Sequence, residues 1–166
     1  IAIVMPLFND WGCLPLLLDD MAAVSGAQHV FTIFVIDDCS TADFGITTVA
    51  GDLLITDPDC TAISFPNLTT VGGDIDVSGT TMTIIEFPEL ESVGGDMDLS
   101  GNPTLTTINA PSILEISGDM DVSGTTVTII EFPELETVGG GVDVSANPTL
   151  TTIDLPSILE VGGDMD

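Results

Sequence analysis

The residues with the clearest capacity for chemistry are aspartates at a fixed spacing. Asp74 and Asp76 recur as Asp96 and Asp98, as Asp119 and Asp121, as Asp143 alone (Gly141 takes the other place), and as Asp164 and Asp166, each copy 22 or 23 residues after the last. The surrounding phrase recurs with them: VGGDIDVSG at 71–79, VGGDMDLSG at 93–101, ISGDMDVSG at 116–124, VGGGVDVSA at 138–146 and VGGDMD at 161–166. A diverged earlier copy, VAGDLLI, occupies 49–55. If successive copies lie side by side as strands, like carboxylates stack roughly 4.8 Å apart. Unit charges at that separation repel by about 1 kcal/mol even in bulk water, so the folded chain is expected to hold these carboxyl groups above their ordinary pKa. Calcium takes several carboxylate oxygens at once, which makes Asp76, Asp98 and Asp121 candidate ligands for an ion bridging the rungs. No Gly-bounded EF-type loop accompanies them, and the period is not that of a calcium-binding nonapeptide repeat. The competing reading is a solvated acidic face with its side chains splayed apart.

Charge narrows the choice of partner. The 166 residues contain no Lys or Arg and 27 Asp and Glu, for a formal net charge of −27. A surface with no cation cannot grip phosphate, nucleic acid or an anionic membrane electrostatically. Cations, neutral polar surfaces such as glycans, and basic proteins remain. Because 44% of the residues are hydrophobic, the chain is not a disordered acidic tail. His29 is the sole histidine and has no neighbours at metal-ligand spacing; with one His and no nucleophile elbow, no Ser-His-Asp set can be assembled. Cys13, Cys39 and Cys60 form no CxxC pair and read as small buried hydrophobes. No signal peptide and no bilayer-length apolar run is visible, so direct membrane insertion is not expected. The chain starts without Met and stops inside a repeat, and so reads as a fragment at both ends.

The elements that would position the aspartates are short strands in stacked coils. A fixed period of this length marks a repeat architecture in which each unit buries its apolar face against its neighbours. In Gly73-Asp74-Ile75-Asp76-Val77, alternation puts Ile75 and Val77 on one face and both aspartates on the other. Ile75, Met97, Met120, Val142 and Met165 should form one inward column, and Ile75, Leu99, Leu105, Ile108, Val122, Ile130 and Leu135 are expected to be buried. Corners are expected at Gly72-Gly73, at Ser78-Gly79 and at Pro66, Pro88, Pro111, Pro133 and Pro156, where Gly would supply positive φ and Pro would fix φ. Odd and even coils differ, Asn102-Pro103 and Asn147-Pro148 marking every second one. A Thr-rich second strand (Thr80, Thr81 and Thr83, and later copies) invites an ice-binding reading, but Thr is also simply a good strand residue.

The phrases FPELESVGG at 87–95 and NPTLTTI at 102–108 resemble the leucine-rich repeats of receptor L-domains. The resemblance covers about 45–166. It implies a mainly β fold, a right-handed β-solenoid of 22–23-residue leucine-rich-type coils. It also implies a non-enzymatic recognition or scaffold module, extracellular or on the cell surface, that binds protein or glycan through an exposed solenoid face.

Residues 1–44 differ in kind. An apolar run at 1–5, a helix candidate at 14–24 and a β-branched run at 30–36 read as a βαβ segment with parallel strands. Together IAIVMPLFND and FVIDDCSTAD resemble the opening of family-2 glycosyltransferases, with Cys39 where that family has Gly. The resemblance implies that Asp37 and Asp38 sit near a nucleotide-sugar donor, and it supplies the alternative reading of a truncated or fused glycosyltransferase. It covers about a quarter of the chain, and repeats follow where the family's metal motif should be. A solenoid's end needs a cap, and residues 1–44 are expected to pack on the first coil around Leu53, Ile55 and Ile63.

Overall fold

A computed structural model describes residues 46–56 and 59–166, together with the backbone of the strands Ala2–Pro6 and Thr32–Ile36. The helix candidate at 14–24 lies outside the described residues. The architecture is a parallel β-solenoid of about five turns, stacked about 22 residues apart, with no helix among the described residues.

Each coil passes through three walls. The first is a seven-stranded parallel sheet, running in order through Ala2–Pro6, Thr32–Ile36, Leu53–Ile55, Ile75–Asp76, Met97–Asp98, Met120–Asp121 and Val142–Asp143. The second comprises Ala62–Ser64, Ile84–Glu86 and Thr107–Asn109, and beyond a break Ile129–Glu131 paired with Thr152–Asp154. The third is a six-stranded sheet from Thr48–Val49 to Glu160–Val161. Register is set by the repeat: Leu53 faces Ile75, then Met97, Met120 and Val142, and Val142 bridges to Met165. One residue's slip would turn every inward side chain to solvent.

The interior is one continuous apolar column. Within a single coil Ile75, Val77, Met82, Ile85, Phe87, Leu90 and Val93 are all fully buried. Phe65 and Phe87 stack in adjacent coils with ring centroids 5.7 Å apart. Of the residues expected inside, Ile75, Leu99, Leu105, Val122, Ile130 and Leu135 are buried, but Ile108 is only partly so. Its strand is the last of the three-stranded part of the second wall, and the next coil's strand pairs onward instead of back.

Three further expectations are corrected. The Thr-rich stretch 80–83 is a corner, and the strand begins only at Ile84. Pro6, expected to end the apolar run at 1–5 from outside, is itself the last residue of the strand Ala2–Pro6. The Gly-Gly pairs do not adopt positive φ; among described glycines that conformation is confined to Gly79, Gly101 and Gly124, and Ala146 adopts it at φ 54° in the fourth copy.

At the amino-terminal end, Thr32–Ile36 pairs with the first coil, Ile33 opposite Leu53 and Val35 opposite Ile55. Ala2–Pro6 pairs in parallel outside it. The first-wall strand edge of the first coil is therefore covered, as a cap requires.

Candidate functional site

The acidic first wall carries two carboxylate columns, and the solenoid uses them differently. In the outer column each aspartate reaches forward to the next coil. Asp52 Oδ1 accepts the backbone N–H of Asp74 at 3.1 Å, Asp74 Oδ1 that of Asp96 at 2.9 Å, and Asp96 Oδ1 that of Asp119 at 2.8 Å. Asp119 Oδ1 closes the series on Gly141 N–H at 2.6 Å. The glycine preceding each aspartate leaves room for this. A Cβ at Gly73, Gly95, Gly118 or Gly140 would fall on the Oδ1 of Asp52, Asp74, Asp96 or Asp119 in the coil before. The GGD phrase is thus a steric and hydrogen-bonding clasp between coils.

In the inner column Asp76, Asp98, Asp121 and Asp143 stand in direct register. Their Oδ1 atoms turn along their own chain and accept the N–H of Ser78, Ser100, Ser123 and Ser145 at 2.7–2.9 Å. These Asx turns shape the corner that follows, a role Asp is suited to by its short acceptor side chain. Calcium held by Asp76, Asp98 and Asp121 would have to use their remaining oxygens. Among the described residues no three carboxylate, imidazole or thiol groups converge closely enough to hold a metal ion.

The expected upward pKa shift is reversed at Asp143. The backbone N–H of Ser145, and then its hydroxyl, hold that carboxyl below its ordinary value, against a smaller opposing effect of burial. Hydrogen bonds to the charged form outweigh desolvation here, because they act at contact distance on a side chain that is largely open to water.

A polar feature inside the solenoid went unread in the sequence. Asn102 is fully buried. Its Oδ1 accepts Thr80 N–H at 2.9 Å and Thr80 Oγ1–H at 2.6 Å, while its Nδ2 donates to Val77 O at 2.8 Å and Leu99 O at 2.9 Å. Asn147 repeats the pattern on Thr125, Val122 and Val144. The alternation of SGT and NPT corners was the available signal: a Thr coil and the Asn coil after it form one hydrogen-bonded pair. Among the described residues no buried side-chain nitrogen or oxygen lacks a partner.

The threonines of the second corner are also engaged. Thr83, Thr106 and Thr151 donate their hydroxyls to Thr61 O, Thr83 O and Thr128 O of the coil before. Outward on the second wall stand Thr107 and Thr152 beside Ile84 and Ile129, the latter two 38% and 52% exposed, and two residues further along the same strands Glu86, Asn109, Glu131 and Asp154. Cys60 is buried, its thiol directed at Ala62 O, as a small core residue would be. Asp37 and Asp38 lie outside the described residues.

The fold defines the class, a parallel β-solenoid repeat protein. No family model, no curated protein and no solved structure matches the chain. The likenesses to L-domain repeats and to glycosyltransferases therefore rest on the quoted phrases alone. No helix among the described residues is long and apolar enough to cross a membrane.

Proposed function

We propose that this chain is a non-enzymatic recognition or scaffold module, displayed outside the cell, that binds a neutral glycan or a protein through the outer face of its second wall. The observation that carries the reading is the exposure of Ile84 and Ile129 on that face, in register with Thr107 and Thr152 of the next coils. An aliphatic and hydroxyl surface on rigid strands suits the apolar faces of sugar rings and the centre of a protein interface. The acidic wall is the poorer choice, because its carboxylates already clasp coils and corners.

The test is retention of the full chain on insoluble neutral polysaccharides, alongside binding of the fluorescently labelled chain to intact eukaryotic cells. Binding to either is expected, with at least a tenfold loss (about 1.4 kcal/mol or more) in Ile84→Asp/Ile129→Asp at unchanged circular dichroism. Absence of binding to both, or binding that survives the double substitution, overturns the proposal. The glycosyltransferase alternative would show itself as binding of a nucleotide sugar lost in Asp38→Ala.

A further inference from the structure

We infer that Asn67 is an acceptor for N-linked glycan. Three asparagines in this chain stand two residues before a threonine: Asn67, Asn102 and Asn147. The acceptor pattern is Asn-x-Ser/Thr with any residue but proline between. Asn102 and Asn147 are followed by Pro103 and Pro148. Their side-chain amides are also committed inside the fold, each donating to two backbone carbonyls. Asn67 is followed by Leu68 and Thr69, and it is the one position in the chain that meets the pattern.

The fold places Asn67 where such a modification can be carried. It occupies the third position of a tight turn closed by Leu68 N–H on Phe65 O at 3.3 Å, with Pro66 before it. Asn67 is exposed, while Leu68 is fully buried and anchors the turn. The same turn recurs in the following coils with Glu89, Ser112, Glu134 and Ser157 at the equivalent position, so no coil uses this site for the apolar interior. A glycan there projects from the corner between the second and third walls, at a position the apolar interior does not use.

The reaction is a group transfer. The Asn67 amide nitrogen attacks the anomeric carbon of a polyprenyl-pyrophosphate-linked oligosaccharide. A C–N bond forms, the C–O bond to pyrophosphate breaks, one amide proton is lost, and the polyprenyl pyrophosphate leaves with the electron pair. It takes place on the unfolded chain, before Thr69 Oγ1 donates to Thr47 O at 2.9 Å in the finished coil. The inference requires passage through a secretory lumen but not the recognition role, so the two fail separately.

The experiment is expression of the full chain behind a cleavable secretion signal in eukaryotic cells, with cell-free translation into microsomes as a measurement that does not depend on export. Glycosidase treatment should remove a single glycan from the wild type. The mass shift should be absent in Asn67→Gln and Thr69→Ala and retained in Thr69→Ser. Because the chain lacks Lys and Arg, an Asp- or Glu-specific protease is needed to release the peptide and show the glycan on Asn67. A wild-type chain without glycosidase-sensitive mass in microsomes overturns the assignment, as does a glycan that persists in Asn67→Gln.

Discussion

Asn102 shows how one side chain can decide how coils are joined. Its amide makes four hydrogen bonds, to Thr80, Val77 and Leu99, at a position with no solvent access. Removing it leaves buried donors and acceptors without partners, each costing about 1–3 kcal/mol. Asn102→Ala is therefore expected to destabilise the chain by at least ~3 kcal/mol in denaturant unfolding. Asn147→Ala should cost less, because the last coils leave Asn147 half-buried. Ala146 makes the opposite case. It holds the left-handed conformation that Gly79, Gly101 and Gly124 hold in the other copies. That conformation costs a residue with a Cβ about 1–2 kcal/mol, partly offset by the greater freedom of an unfolded glycine. Ala146→Gly should raise stability by roughly 0.5–1 kcal/mol in the same assay.

At the level of the strand and its corner, the carboxylates act through their oxygens as acceptors more than through their charge. Asp96→Asn keeps the acceptor for Asp119 N–H and removes one repelling charge from the column, so its unfolding midpoint should match or exceed that of the wild type. Asp96→Ala loses the bond and should cost about 1 kcal/mol. If the two variants behave alike, the clasp contributes nothing. Asp143 gives the pH dependence. Its folded carboxyl is held below the ordinary value by Ser145, so the native state binds fewer protons there than the unfolded chain does. Its stabilising contribution is complete above the unfolded pKa and disappears as pH falls through the lower folded value. An NMR titration should show Asp143 low. Ser145→Ala should keep most of the shift, because the backbone N–H is its larger cause.

The whole molecule carries a net charge of −27 with no cation to offset it. Self-repulsion of that kind weakens a compact state and is screened by salt. Melting temperature should therefore rise with ionic strength at neutral pH. Calcium chloride and sodium chloride at matched ionic strength are expected to give equal gains, since one oxygen of each inner-column aspartate from Asp76 to Asp143 is already held by a serine N–H. An excess with calcium that vanishes in Asp98→Asn/Asp121→Asn would instead mark an ion bridging the rungs.

The sequence by itself determined the repeat period, the parallel stacking and the inward column from Ile75 to Val142, while Met165, expected to continue it, is 59% exposed at the end of the stack. These follow from alternation within a strand and from one phrase returning at a constant interval, both written in the order of residues. It also showed that an acidic ladder stands outside the core. Only the tertiary structure decided what the ladder does, because the partner of each outer-column Asp Oδ1 is an N–H 22 or 23 residues away. The glycine before each aspartate was legible as a corner, yet its reason is close approach by the preceding coil, a distance no local rule contains. The Thr80–Asn102 pairing was hidden in the same way: each residue alone reads as an ordinary turn former, and only stacking brings the amide and the hydroxyl together away from water. Ile108 marks the limit in the other direction. Its place in the pattern said buried, yet in the fold it is only partly so, because burial is set by the neighbours a residue acquires.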